Sequence, residues 1–351
     1  MRAFSVFLAL FLLLTTAITA QPSMETLRSR SYFLKDFQYY KPMLADIRTP
    51  HNHSRFYIAD AVPFTNNDDG RDDSDHIFFD PSYGEYFPFL GFNFADENSS
   101  EAMILPGLAL FISGSAHMVL DFMTVSNDII NTDYRVGTGI ALRFPFVQKL
   151  SMRYRFFHES THLGDEYTLS ASLDAAFRRY NVSYEAHELY LAVDHYISTA
   201  SHWGTLSYTR VYGGNRWLSD DAFPGYTGTY VHAAPLLLAK KNELETGAEF
   251  VLLGWKNPDD NPGWGWWRKL LAPQYIFAAA DMQKHNKYAL VDPEQVWSTN
   301  IVLGIIYGKY FALQSQRTVR WQLNYYDGIN PHGQFRSQDL QYIGLDYIID
   351  F

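Results

Sequence analysis

The stretch QYIGLDYIIDF, residues 341–351, decides the fold. Ile343, Leu345, Tyr347, Ile349 and Phe351 fall on one parity; Tyr342, Gly344, Asp346 and Asp350 fall on the other. A period of two is the signature of a strand with unlike faces. Carboxylates on the second face would be ruinous in a dry core and are ordinary where they meet water. Two architectures therefore compete: a sandwich with one solvated side, and a transmembrane barrel with a wet lumen. The aromatic that ends the stretch favours the barrel, which places aromatics in girdles at both membrane interfaces.

The pattern recurs towards the N-terminus. In RTVRWQLNYYD (317–327), Val319, Trp321, Leu323 and Tyr325 oppose Arg320, Gln322, Asn324 and Tyr326. In DYRVGTGIALRF (133–144), Tyr134, Val136, Ile140, Leu142 and Phe144 oppose Asp133, Arg135, Gly137, Gly139 and Arg143. Candidate strands lie near 105–124, 132–144, 149–160, 166–178, 182–197, 204–214, 228–239, 245–256, 273–283, 297–310, 316–327 and 338–351. Residues 86–94 offer one more, and 105–124 reads either as one strand or as a hairpin turning at Ser113-Gly114. The expectation is an all-β chain, a transmembrane antiparallel β-barrel of about 12 strands within a bracket of roughly 10–14.

Composition agrees. Aromatic residues make up 17% of the 351 residues, with 25 Tyr, 26 Phe and 8 Trp, yet mean hydropathy is −0.21. A barrel reconciles the two, since its lumen keeps the average polar while its girdles take up rings. Residues 1–20 (Arg2, then an apolar run ending in small residues at Ala20) read as a signal peptide of a Gram-negative exported protein. Residues 21–82, with the Asp-rich TNNDDGRDDSD, read as a periplasmic N-terminal arm or plug, and 83–351 as the barrel. There is no cysteine, so thiolate chemistry is excluded. A net charge of −10 without a basic block excludes nucleic acid as a partner. The expected partners are outer-membrane lipids and, through the terminal strand ending at Phe351, the barrel assembly machinery; the expected location is the cell outer membrane. With the chain end inside, alternating strand direction places 126–131, 161–166 and 327–335 together on the outer side. Arg135, Arg143, Arg153 and Arg155 form a lumenal basic band, for which pairing with Asp174, Glu188 and Asp194 is set against an anion-selective path.

The motifs KPMLADIRTP (41–50), SNDIINTDYRVG (126–137), YRFFHESTHLGDEYTL (154–169), NVSYEAHELYL (181–191) and YYDGINPHGQF (325–335) resemble those of a bacterial outer-membrane barrel family known only as domain of unknown function 1207. That resemblance runs from residue 41 to 351, is most specific over 158–166, and implies fold and location but no activity. A narrower resemblance, carried by His158-Glu159-Ser160 alone, is to the outer-membrane phospholipase A and lipid A deacylase barrels, which bear an His-x-Ser pattern on a strand. It implies a serine-type lipid ester hydrolase.

Parity gives that reading physical content. Leu150, Met152, Tyr154, Phe156, His158 and Ser160 share the lipid-facing side of one strand. Residues i and i+2 lie about 6.5–7 Å apart, so imidazole and hydroxyl can lean together, with His158 as base and Ser160 as nucleophile. The resemblance implies an Asn or Glu orienter about a dozen residues past the serine, where Ser172 has lumenal parity; Asp165 is the expected orienter, with Glu166 as its substitute. Competing readings are a polar rim hairpin and a metal site of His158, His162 and Asp165. No cofactor is required, and calcium is the ion that the oxygen-rich rim would take. The alternative function is a non-catalytic barrel, either a narrow pore or a surface scaffold.

Overall fold

The computed structural model describes residues 31–34, 38–59, 77–94, 106–122, 127–144, 149–165, 167, 182–197, 203–219, 222–223, 236–255, 272–289, 292–308 and 317–350. Its strands are β1 (Ser31–Phe33), β2 (Asn52–Ala59), β3 (Ile77–Asn93), β4 (Gly107–Asp121), β5 (Ile129–Arg143), β6 (Leu150–Leu163), β7 (Ser183–Tyr196), β8 (Leu206–Leu218), β9 (Ala222–Phe223), β10 (Leu236–Leu237), β11 (Asn242–Leu253), β12 (Tyr275–Lys287), β13 (Glu294–Tyr307), β14 (Thr318–Ile329) and β15 (Asp339–Asp350). β2 pairs with both β15 and β3, and β3 with β4, so twelve antiparallel strands close on themselves. β1 adds a short rung to β3, and β9 and β10 form a separate two-stranded ribbon.

The parity expected from residues 341–351 holds in space. Asp346, Arg320 and Glu159 are at most 1% exposed, whereas Ile343 is 66% and Leu323 59% exposed. A wall polar inside and apolar outside inverts a soluble protein and suits a bilayer.

The total of twelve agrees with expectation, but the membership differs. β6 pairs directly with β7, and β8 with β11; of the expected strands 166–178 and 228–239, the first apart from Tyr167 and the second up to residue 235 lie outside the described residues, and Leu236–Leu237 form β10. Alternation marks strand-prone sequence; only pairing makes a wall. The arm expected over 21–82 contains β2 and the start of β3, so the boundary at 83 falls inside a barrel strand. β2 carries little sequence signal, since it has only eight residues, with the polar His53 and Arg55 on its buried face. TNNDDGRDDSD (65–75) falls in sequence between β2 and β3 and lies outside the described residues. The 107–121 stretch is one strand, without a turn at Gly114.

Residues 39–51 are a plug. Tyr39, Met43, Leu44 and Thr49 are almost wholly buried, and the wall grips the plug backbone. Glu249 accepts from Leu44 N at 2.9 Å, Arg210 donates to Lys41 O at 2.9 Å, and Asn300 donates to Ala45 O. Arg48 forms an ion pair with Asp133 at 2.9 Å. At the far rim, opposite the end that carries Asp350, residues 330–338 fold inward. Gly333 N donates to Asp133 at 3.1 Å, and Arg336 pairs with Glu243 at 3.0 Å.

Candidate functional site

The outer faces of β6 and β7 carry the polar cluster singled out by sequence. The ladder sets His158 opposite Glu185 and Ser160 opposite Ser183, the first residue of β7. On the other side Tyr134 and Val136 of β5 stand opposite Ser160 and His158. Below the cluster comes one more polar contact, His187 Nδ1 with the Tyr154 hydroxyl at 2.8 Å, and from there the outward residues of β7 turn apolar through Leu189, Leu191 and Val193, as Phe156 does on β6. The cluster is thus a notch at the upper edge of the apolar band, where polar side chains are costly unless they are paired or reach the headgroup layer.

Two hydrogen-bonded sets fill the notch. His158 Nδ1 lies 3.0 Å from Glu185 Oε1, and Ser183 Oγ lies 3.5 Å from His158 Nε2. Separately, Ser160 Oγ lies 3.1 Å from His162 Nε2, whose ring meets Tyr134 edge-on at 5.8 Å. With Nδ1–H donated to the carboxylate, Nε2 is left as an acceptor pointed at the Ser183 hydroxyl. The His158 and Glu185 side chains are 41% and 45% exposed, so a molecule in the outer layer has access to them.

The expected residues are only partly brought together. His158 and Ser160 share a face, but the hydroxyl of Ser160 is engaged by His162. Asp165 follows the end of β6 and is exposed, and the carboxylate at His158 is Glu185 instead. Glu166 lies outside the described residues. The trio His158, His162 and Asp165 does not converge; among the described residues no three His, Asp or Glu side chains form a metal-binding group. Sequence reasoning missed Ser183 and Glu185 because it searched a short hairpin for the orienter, whereas the next wall strand begins only after residue 182. The usable signal was the outward parity of Ser183, Glu185 and His187 in NVSYEAHELYL.

A buried counterpart is built differently. His285 Nε2 lies 2.5 Å from Ser298 Oγ, but Arg336 donates to His285 Nδ1 at 3.1 Å. Nε2 must then carry the proton, so this imidazole cannot act as a base for Ser298. The lumenal basic band is largely neutralised: Arg143 pairs with Asp194 at 3.0 Å, Arg155 with Glu188 at 2.6 Å, and Arg135 with Glu159. Asp174 lies outside the described residues.

The sequence profile of the family described as "Protein of unknown function (DUF1207)" matches residues 15–219, more than half of the chain. The chain belongs to the DUF1207 family. No curated protein matches it. Among solved structures, this DUF1207 member is similar to the Salmonella typhi outer membrane phospholipase (OMPLA) dimer with bound calcium, at 10% identity over 89% of this chain and 94% of that one, with a TM-score of 0.42. It is similar to the COG4313 outer membrane channel from Pseudomonas putida F1 at 8% identity over 87% and 97%, TM-score 0.42. LpxR from Salmonella typhimurium follows at 13% identity over 85% and 100%, TM-score 0.34.

Proposed function

We propose that this barrel resides in the outer membrane and hydrolyses ester-linked lipid from the outer leaflet. The observation that carries the reading is the file Ser183, His158, Glu185 at the upper edge of the apolar band. In this reading Glu185 fixes the imidazole and stabilises it when charged. His158 Nε2 takes the Ser183 proton as Oγ adds to the ester carbonyl, then returns it to the departing alcohol. Water cleaves the acyl-serine by the same exchange. Ser160, with His162 as its partner, is the second hydroxyl within the notch and the nucleophile anticipated from His158-Glu159-Ser160.

The test is release of fatty acid from phospholipid or lipid A by purified protein in detergent, with and without calcium. Ser183→Ala and His158→Ala are expected to abolish release while the barrel stays folded. Loss in Ser160→Ala alone would move the nucleophile to Ser160. No release from either lipid under either condition would sink the hydrolase reading. The second reading, a closed scaffold, is favoured over an open pore by the filled lumen, and planar-bilayer conductance separates those two.

A further inference from the structure

Among the described residues ten arginines are buried in the barrel or its plug, and nine have a carboxylate partner. Arg48, Arg55, Arg135, Arg143, Arg155, Arg210, Arg216, Arg320 and Arg336 each lie within ion-pairing distance of an Asp or Glu. Arg153 is 3% exposed and has no such partner among the described residues. Its polar contact is the neutral Tyr86 hydroxyl at 2.8 Å, and its Nε has no hydrogen-bond partner. The nearby Glu188 is already claimed by Arg155 and Arg216.

Aromatic rings surround this cation. Its guanidinium carbon lies 4.9 Å from the Tyr40 ring centre, 5.1 Å from Tyr86 and 5.0 Å from Tyr190. Ring faces offset part of the desolvation cost, but a buried charge without a counter-ion remains unfavourable. Beside Arg153 is a crevice with an interior of about 30 Å³, lined by Tyr40, Pro42, Tyr86, Pro88 and Phe111, with Glu85 also on its wall. That is room for a group the size of one or two waters.

We infer that Arg153 and its tyrosine box form a binding site for a monoanionic carboxylate headgroup. A carboxylate supplies the missing counter-charge, fits the small interior, and accepts from the planar guanidinium. A phosphate monoester, larger and doubly charged, would exceed both the room and the single positive charge. The site is separate from the outer notch. It faces the lumen, and Arg153 lies five residues from His158 towards the Asp350 end, about 16 Å along the strand. The shared chemistry covers a free small acid and the head of a fatty acid.

Acetate and dodecanoate, each titrated calorimetrically into the detergent-solubilised protein in chloride-free buffer, distinguish these sources. Wild type is expected to bind saturably, and Arg153→Met to lose at least tenfold in affinity. Tyr86→Phe, which keeps the ring but releases the Arg153 donor, and the longer one from Arg155 at 3.4 Å, is expected to bind as well or better, and it serves if Arg153→Met does not fold. Dodecanoate binding tenfold more tightly than acetate assigns the head of an acyl chain; equal affinities assign a small free acid. Absence of saturable binding in wild type, equal binding by Arg153→Met, weaker binding by Tyr86→Phe, or a response to chloride alone overturns the assignment.

Discussion

Replacing Arg48 by Met should loosen the plug measurably. Arg48 is 5% exposed and pairs with Asp133 at 2.9 Å, with Glu159 at 3.7 Å. Removing one member of a buried ion pair typically costs about 3–5 kcal/mol, because the other charge is left uncompensated. Here both acids retain donors: Asp133 accepts from Asn131 at 2.7 Å and from Gly333 N, and Glu159 keeps Arg135. The lower end applies, about 3 kcal/mol, which raises the undocked population on the order of a hundredfold. The chain has no cysteine, so Ala45→Cys gives a single reporter within the plug, at a position 1% exposed. Labelling through transient opening follows that population when reclosing is fast. Maleimide labelling of Cys at 45 should therefore speed up by about a hundredfold when Arg48→Met is added. An acceleration below tenfold, in a barrel that still shows heat-modifiable migration, would refute Arg48 as the anchor.

Glu185→Gln, which keeps shape but removes the charge that stabilises a protonated His158, should lower any lipid hydrolysis on the order of 10²–10⁴-fold with migration unchanged; undiminished turnover would remove Glu185 from the mechanism. Burial, reinforced by the Arg143 guanidinium, holds the Lys41 ammonium down at about 8, against an ordinary 10.5. An undocked plug thus binds a proton that the docked plug lacks between those values, so docking strengthens as pH rises through that window and bears the full cost below it. The thermal midpoint should rise relative to Lys41→Met between pH 8 and 10, by up to about 3 kcal/mol of stability; parallel profiles would contradict this. Gly107→Val should force out Tyr39, whose ring lies where any Cβ at that position would stand. Faster labelling of Cys at 45 is the readout, and an unchanged rate would show that the ring has room to move.

How far the sequence reaches is clear from particular residues. Asp346 inside and Ile343 outside follow from parity alone, because a strand has only two faces. That the lumenal arginines would meet Glu188 and Asp194 follows from placing charges on one face and requiring neutrality; which arginine meets which, Arg143 with Asp194 and Arg155 with Glu188, is set by the register. β2 did not follow: its inward residues bond to partners nearly three hundred positions away, such as Asp346 for Arg55 at 2.8 Å. Glu185 was out of reach for a related reason. Its link to His158 depends on which strand is the neighbour and in what register, and a stretch near 166–178 with its own alternation competed for that place. Ser183 was legible as outward-facing but not as a partner of His158.

The seam between β2 and β15 also has a kinetic consequence. The wall closes through rungs such as Gly344 to Tyr57 and Leu345 to Phe56, joining the first wall strand to the last. Contacts of such sequence separation carry the largest loop-closure entropy and form slowly. The plug runs directly into β2 at Asn52, so the segment that fills the interior is tethered to the strand that shuts it. Lumen filling and closure are therefore coupled steps of assembly. A lesion in the plug should appear as delayed maturation of the barrel even where the finished protein is nearly as stable as wild type.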